Sequence, residues 1–347
     1  MQVLFPQTRY QGSKLKLLDW FQPIFHNIEF DTVLDAFGGT SAVSHMFKRM
    51  GKEVTYNDIL TSNWYIGKAL IENNSTKFDL LKVRSLFEKK KGFSYLTTIQ
   101  DQFQDIYYID KENELLDIVV QNIFRLENQF EKAICFFALF QACIQKRPFN
   151  LFHRKNLYLR LNKVERSFGN KKTWDTPFEQ LFLKAIKEGN HAVFDNQRVN
   201  KAFNYPILDL PLPDEGYDLV YLDPPYVSSQ GIGIDYRDFY HFLEGICNYD
   251  CWESMIDYES KHRRLKIIHN GWTSPKKVLQ EFEKTIEKFR DYKMIISYRD
   301  PGIPDIDTIK KILLSYKKNI IVQTKDYKYA LTSTKKTVKE VIFLSKN

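Results

Sequence analysis

Residues 32–41, TVLDAFGGTS, combine a short apolar run, an acid and two adjacent glycines. An apolar run of this length predicts a buried strand, and the glycines predict a tight turn that lets the backbone approach a ligand closely. A helical pattern follows over 41–50 and stops at Gly51, and a second strand is predicted over 53–57, directly before Asp58. This order predicts a β-α-β unit of a parallel sheet.

The last third of the chain repeats the alternation of strand and helix patterns. It predicts helices over 275–288 and 305–316, and strands at 217–222, 266–269, 294–297, 319–324 and 341–344. The chain from about 59 to 189 instead has a mainly helical pattern. We therefore predict an α/β fold with a doubly wound, mostly parallel, Rossmann-like sheet. A sheet domain of residues 1–75 and 190–347 would carry a helical insertion of residues 76–189.

The composition excludes several classes of protein. The chain has 347 residues, of which 43% are hydrophobic, with 14 glycines and 12 prolines, and this excludes disordered and fibrous proteins. No apolar run reaches the roughly 20 residues needed to cross a bilayer, and the N-terminus lacks the pattern of a secretion signal. Four cysteines do not make a disulfide framework, and Cys247 and Cys251 lack the paired spacing of zinc sites. We expect a cytoplasmic protein without a membrane segment or a metal site.

One segment holds all of the net positive charge. The chain has 51 Lys and Arg against 43 Asp and Glu, and residues 145–172 contain nine of the cations and a single acid, Glu165. The remaining residues therefore balance at 42 cations and 42 acids. Aromatic residues alternate with these cations, a pattern that fits a polyanion such as nucleic acid. The alternative is a solvated basic loop.

The tetrapeptide Asp223-Pro224-Pro225-Tyr226 follows the predicted strand at 217–222. Open α/β sheets bind ligands at the carboxyl ends of their strands. Because proline lacks an N–H and fixes φ, two prolines form a stiff turn. Such a turn can hold two acceptors for the hydrogens of a planar amino group and an aromatic ring that stacks on its ring system. The pattern indicates a site for the exocyclic amine of a nucleobase, and the alternative is an ordinary strand-ending turn.

The glycine turn is less specific than the tetrapeptide. It lacks the G-x-G-x-x-G spacing of dinucleotide enzymes and the lysine of a phosphate-binding loop. Asp58 follows the second predicted strand, where a carboxylate reaches ribose hydroxyls in related sheets. An acid at a strand end also serves commonly as a helix N-cap.

Together the motifs resemble the Dam-like, alpha-group adenine-N(6) DNA methyltransferases. The resemblance covers nearly the whole chain, in the family's order of donor motifs, recognition region and catalytic motif. It rests on five stretches: RYQGSK at 9–14, DAFGGTS at 35–41, YNDI at 56–59, Phe149-Asn150 after Arg147, and LDPPY at 222–226.

The resemblance implies S-adenosylmethionine as the methyl donor. The positions that match the family's donor motifs, and that we expect to bind the donor, are Tyr10, Gly12, Lys14, Asp35, Phe37, Gly38, Gly39, Thr40, Ser41, Asp58 and Ile59. Catalysis is expected from Asp223, Pro224, Pro225 and Tyr226, with the target adenine flipped out of the duplex. Asp223 and the Pro224 carbonyl would hold the amine, and Tyr226 would stack on the base.

The resemblance also implies double-stranded DNA as the partner, in a restriction-modification system with a cognate endonuclease. We expect a monomer or weak dimer. The expected DNA contacts lie in the basic segment, at Lys146, Arg147, Asn150, Arg154 and Lys155.

The sequence departs from the family pattern at three places. Ser41 stands where the family often has a further glycine, and Pro206 stands where it often has an acid. The residues after Tyr226 differ from those of the members specific for GATC. The target sequence of the family therefore does not carry over.

Other functions are compatible with parts of the pattern. A methyltransferase acting on RNA or on a protein amide uses a similar tetrapeptide, and a catalytically inactive relative would bind DNA alone. A cytosine-C5 methyltransferase would need a nucleophilic cysteine after a proline, and none of the four cysteines follows one.

Overall fold

The computed structural model describes residues 4–162, 171–327 and 338–346. Its nine strands are β1 Thr32–Asp35, β2 Glu53–Asn57, β3 Lys201–Phe203, β4 Leu219–Leu222, β5 Val227–Ser228, β6 Lys293–Asp300, β7 Gly302–Ile303, β8 Asn319–Tyr327 and β9 Val338–Lys346. Seven of them form one sheet in the order β3-β2-β1-β4-β6-β9-β8, while β5 pairs with β7 alone. The first five strands of the large sheet are parallel, and β9 runs antiparallel to both β6 and β8. The predicted mostly parallel α/β sheet is confirmed.

Helices cover both faces of this sheet and fill the long central segment. Their bounds are α1 Leu18–His26, α2 Ala42–Arg49, α3 Thr61–Gly67, α4 Val83–Leu86, α5 Thr98–Gln102, α6 Asp110–Phe124, α7 Gln129–Gln145, α8 Tyr158–Leu161, α9 Lys171–Asp175, α10 Phe178–Ala192, α11 Tyr236–Phe239, α12 His241–Cys247, α13 Trp252–Met255, α14 Val278–Lys288 and α15 Ile306–Leu314. Single helical turns lie at Lys14–Leu17, Lys68–Glu72, Leu80–Lys82, Pro148–Asn150 and Tyr249–Cys251. Within the described ranges, no helix is long and apolar enough to span a bilayer.

The alternation of side chains along the strands divides the core into two clusters. Val33 and Leu219 belong to one cluster, and their chain neighbours Leu34 and Val220 belong to the other. Because successive strand residues face opposite sides, the two clusters are the two faces of the sheet. The first cluster continues through α6, α7 and α10, so the inserted helices share a hydrophobic core with one face of the sheet.

Helix α7 shows why the insertion packs so closely. Residues 133–144 are all buried, including Gln141. A helix that is apolar on every side must be enclosed by other elements. Its neighbours are α3, α10 and the Lys68–Glu72 turn.

The strand predicted at 266–269 is wrong. This segment forms a loop between Leu265 and α14, and Ile267 and Ile268 are exposed. The reason is that β6, the following strand, is already hydrogen-bonded to β4 on one edge and to β9 on the other. The segment therefore cannot pair with β6, and Ile268 instead lines the main cavity.

Candidate active site

A cavity of about 550 Å³ opens at the carboxyl ends of β1, β2 and β4. Twelve of the predicted donor and catalytic residues line it: Tyr10, Gly12, Lys14, Asp35, Phe37, Gly38, Gly39, Thr40, Asp58, Ile59, Asp223 and Pro225. The structure thus brings together motifs that are separated by up to about 210 residues in the chain. Ser41, Pro224 and Tyr226 do not line the cavity.

The glycine turn after β1 is shaped by contacts that exclude larger residues. A Cβ atom on Gly38 would lie 2.0 Å from the ring of Tyr56, and Gly39 has a φ of +50°. Ser41 also has a positive φ, of 66°, immediately before α2. Since glycine adopts this region without a steric penalty, Ser41 occupies a backbone position that favours glycine.

Asp58 connects the ends of the first two strands. Its carboxylate accepts hydrogen bonds from the backbone N–H groups of Gly39 at 2.9 Å and Leu60 at 2.8 Å. Burial raises the pKa of Asp58 to about 6, and these two bonds act in the opposite direction. Asp58 therefore orders the glycine turn as well as facing the cavity, a role that its sequence position did not reveal.

Asp35, the last residue of β1, has one carboxylate oxygen available. Its Oδ2 accepts a hydrogen bond from the Ser44 hydroxyl, while Oδ1 is buried and has no hydrogen-bond partner among the described residues. Burial raises the pKa of Asp35 to about 7. An uncompensated buried oxygen at a cavity wall fits a ligand with a cationic or hydrogen-bond-donating group.

The tetrapeptide after β4 is held by a lysine from the opening motif. The Lys14 ammonium lies 3.0 Å from Asp223 Oδ1 and donates a hydrogen bond of 2.6 Å to the Tyr226 hydroxyl. Burial raises the pKa of Asp223 to about 6, and the Lys14 charge opposes that rise. Tyr226 is only 6% exposed, and its ring packs edge-on against Tyr298. Its hydroxyl and ring thus face the protein interior.

Aromatic residues that the sequence did not single out complete the cavity. Tyr10 stacks on Tyr240 and on Tyr236, with ring centres 4.1 Å and 5.9 Å apart. Trp272 packs edge-on against Phe37. Tyr236 and Trp272 both line the cavity. Tyr236 begins the short helix α11 and Trp272 lies in the loop before α14, and no local pattern there separates a cavity-lining ring from a core ring.

Pro206, at the place of a frequent family acid, also lines the cavity. The segment continues through Ile207 and Leu208 to Asp209, which lines the same cavity and whose N–H bonds the Pro206 carbonyl. A carboxylate is therefore present in this wall, three residues later than the family pattern places it.

A family model for D12 class N6 adenine-specific DNA methyltransferases matches residues 10–329. The chain belongs to this family. It is an adenine-specific DNA methyltransferase, and family membership implies catalysis that depends on S-adenosylmethionine.

Curated relatives cover nearly all of this methyltransferase. The type II methyltransferase M2.HphI of Haemophilus parahaemolyticus is 27% identical over 99% of this chain and 98% of its own length. The modification methylase LlaI of Lactococcus lactis subsp. lactis is 24% identical, with 98% of this chain aligned to 55% of LlaI. The type II methyltransferase M.FokI of Planomicrobium okeanokoites is 28% identical, with 89% of this chain aligned to 47% of M.FokI. The chain thus spans about half of the last two relatives.

The basic segment of the methyltransferase divides into buried and exposed cations. Lys146 and Arg147 are 2% and 1% exposed, so the prediction of these two as surface contacts to DNA is not supported by their positions. Arg154 and Lys155 are exposed, and Asn150 is partly exposed. Residues 163–170 of the segment, with Lys163, Arg166 and Phe168, lie outside the described residues.

Lys146 is neutralised inside the protein. Its ammonium lies 2.9 Å from Glu112 and donates to the Trp174 carbonyl at 2.7 Å. Arg160 pairs with the same Glu112 through two bonds of 2.8 and 2.9 Å. Two cations of the segment therefore share one acid from α6, a residue more than thirty positions away in the chain.

Arg147 fixes the backbone of the loop that follows it. Its guanidinium donates to the carbonyls of Tyr107, Leu151 and Arg154 and to the Asn156 side chain, and it lies 4.2 Å from the centre of the Tyr107 ring. These bonds close a loop around residues 147–156. Phe149 and Asn150 in that loop both have positive φ, of 63° and 59°. Arg147 therefore shapes the loop that presents Asn150 and the exposed cations.

Proposed function

We propose that this enzyme is an alpha-group, Dam-like methyltransferase that methylates N6 of an adenine flipped out of double-stranded DNA, in the cytoplasm. The proposal depends on the observation that two carboxylates line the same cavity. One is that of Asp35, with an oxygen that lacks a hydrogen-bond partner among the described residues, and the other is that of Asp223 at the start of the tetrapeptide.

Asp35 and its neighbours would hold the donor. S-adenosylmethionine, when bound, supplies a methyl group activated by a sulfonium centre. The free Asp35 oxygen suits the donor's amino group, and the Asp58 carboxylate, which also faces the cavity, suits its ribose hydroxyls. Phe37 and Ile59 offer apolar surface beside these acids. The glycine turn allows the donor to approach the backbone closely.

Asp223 would orient the target amine at the other side of the cavity. A base inside a duplex is out of reach, so the adenine must leave the stack. Asp223 and the Pro224 carbonyl accept the two hydrogens of the amine, which aims the nitrogen lone pair at the methyl group. Stacking of Tyr226 on the base requires the hydroxyl to leave Lys14, because the ring faces the interior when that bond is present.

Arg154, Lys155 and Asn150 are the described residues of the basic segment that we expect on DNA. Relatives are named as type II methyltransferases and modification methylases. We therefore propose that this enzyme is the modification component of a restriction-modification system and shares its site with an endonuclease.

Methylation of cellular DNA tests the proposal directly. DNA from cells that express the protein is sequenced with detection of N6-methyladenine, and a single methylated motif is expected. Asp223→Ala should lower the single-turnover rate at that motif by about 10²-fold, as loss of one preorganised polar contact does, while donor and DNA still bind. Asp291→Ala, which removes an aspartate with 84% of its side chain exposed, is the control and should keep the wild-type rate. Methyl groups only on RNA or protein, or a wild-type rate for Asp223→Ala, would contradict the proposal.

A further inference from the structure

Three oxygen atoms surround the buried ammonium of Lys14. Asp223 Oδ1 lies 3.0 Å away, the Tyr226 hydroxyl 2.6 Å away and Glu340 Oε2 3.8 Å away. Lys14 is 5% exposed. The first two oxygens belong to the tetrapeptide, and the third comes from the C-terminal strand β9, which no motif marks as part of the site.

Glu340 is buried in the sheet between two cationic residues of the neighbouring strands. It is 0% exposed, and in the strand register it faces Arg299 of β6 on one side and Lys325 of β8 on the other. Directly opposed residues of antiparallel strands have neighbouring side chains on one face. A buried carboxylate needs such cations nearby, and the Lys14 ammonium, 3.8 Å from Oε2, is a third cation near Glu340.

The position of Lys14 conflicts with the chemistry of the proposed function. Asp223 must accept hydrogens from the adenine amine, but its Oδ1 is engaged by a full positive charge. Tyr226 must turn its ring to the base, but its hydroxyl is bound by the same ammonium. Binding of the amine at Oδ1, together with rotation of the Tyr226 ring toward the base, therefore requires the ammonium to move away from both residues. Glu340 is the acceptor toward which it can move.

We propose that Glu340 is a positioning residue that takes over the Lys14 ammonium from Asp223 and Tyr226 when the target amine enters the cavity. The required movement is small. Shortening the 3.8 Å gap to the roughly 2.8 Å of a charge-assisted hydrogen bond moves the ammonium by about 1 Å. In the DNA-free protein, Lys14 thus takes the place of the amine on Asp223 and keeps the tetrapeptide ordered. This inference rests on the proposed function.

A binding comparison tests the takeover without catalysis. Two duplexes carry the methylated motif found by sequencing, one with the target adenine and one with purine, which lacks the amino group. Their dissociation constants are measured with S-adenosylhomocysteine present. The wild type should bind the adenine duplex more tightly than the purine duplex, because only adenine has an amine that can bond to Asp223. In our proposal this bond forms once the ammonium has moved to Glu340. Glu340→Gln should reduce that preference at least threefold, and Glu340→Asp, which keeps the charge, should restore part of it.

A double-mutant cycle supplies the kinetic test. Glu340→Gln should lower the single-turnover rate about tenfold, with dissociation constants for donor and purine duplex within twofold of wild type. In a Lys14→Met background, where no ammonium has to move, the same substitution should change the rate less than twofold. Lys339→Gln, on the opposite face of β9, is the control and should leave the preference unchanged.

The possible outcomes separate this inference from the proposed function. An unchanged adenine preference in Glu340→Gln, or equal rate losses in both Lys14 backgrounds, would overturn the positioning role and make Glu340 a purely structural residue. If Lys14→Met is inactive, the comparison of adenine and purine duplexes alone decides whether Glu340 has the positioning role. Failure of the proposed function appears instead in the wild type, as absence of N6-methyladenine in DNA.

Discussion

Three carboxyl groups of the cavity share one physical situation. Burial raises the pKa of Asp35 to about 7 and those of Asp58 and Asp223 to about 6, from an ordinary value of 3.8. Between pH 4 and 7 these three groups therefore bind more protons in the folded protein than in the unfolded chain. Their contribution to the free energy of unfolding of the donor-free enzyme should fall as pH rises through that range. We propose that the site retains these buried acids because their ionised forms bind the donor and the amine.

The acid limb of the activity profile follows from Asp223. The ionised carboxylate is the stronger acceptor for its hydrogen of the amine, so the single-turnover rate at saturating donor should decline as pH falls below about 6. Lys14 lowers the pKa of Asp223, and Lys14→Met should therefore move the midpoint to a higher pH. The profile is measured with preformed enzyme–donor complex, which removes the titration of Asp35 and Asp58 from donor binding. A midpoint that stays in place in Lys14→Met would contradict the electrostatic contact.

At the scale of elements, we propose that the basic segment performs two tasks, with its exposed cations binding DNA and its buried cations stabilising the fold. Arg154 and Lys155 are exposed, whereas Lys146 and Arg147 are bonded inside the protein. Neutralising Arg154 or Lys155 should weaken binding to all duplexes alike and reduce the salt dependence by about one unit of slope. Lys146→Ala or Arg147→Ala should instead lower the free energy of unfolding by about 3–5 kcal/mol, because buried partners lose their charge or donor.

Two measurements on all four variants separate the two tasks. One is the affinity for DNA as a function of salt concentration, and the other is the free energy of unfolding in urea. Wild-type stability in Arg147→Ala together with a lower salt slope would mean that the guanidinium reaches DNA. The two exposed positions act as matched controls for the two buried ones, since all four lie within ten residues of each other.

Local patterns predicted the elements whose residues interact within a short stretch. The turn from β1 through Gly38 to α2 and the strand before Asp223 are of this kind, because glycine, proline and apolar runs constrain the backbone directly. The burial of Lys146 and Arg147 is different. Their partners, Glu112 and Tyr107, lie in another part of the chain, and a lysine with a distant acid has the same sequence pattern as a lysine in solvent.

The same limit applies to the cavity. The loop at 266–269 has a strand-like composition, but the neighbouring strand has no free edge. The position of Glu340 depends on how β9 pairs with β6 and β8, and no short stretch of sequence contains all three strands. Ten of the eleven residues predicted to bind the donor line the cavity, whereas the contacts of Lys14 with Glu340 and the tetrapeptide have no sequence pattern.

At the scale of the whole molecule, the inserted helices and the sheet depend on one core. Phe136 of α7 is fully buried and packs against Tyr65 of α3 at 4.5 Å, and α3 begins just after Asp58. Phe136 belongs to the cluster that also contains Val33 and Leu219 of the sheet, and Tyr65 packs against this cluster. Loss of packing in the insertion should therefore reach the donor side of the cavity.

Phe136→Ala should lower the stability of the sheet and of the insertion together, by about 3–5 kcal/mol, because it leaves a large void in the shared core. We expect the midpoint of urea unfolding to shift by the same amount whether it is followed by far-ultraviolet circular dichroism or by loss of donor binding. Leu81→Ala, at a side chain that is 90% exposed in the insertion, is the control and should change stability by less than about 0.5 kcal/mol. A separate early transition of the helices, with donor binding intact, would show that residues 76–189 unfold as an independent unit. The shared core would then contribute little to the coupling between recognition and catalysis.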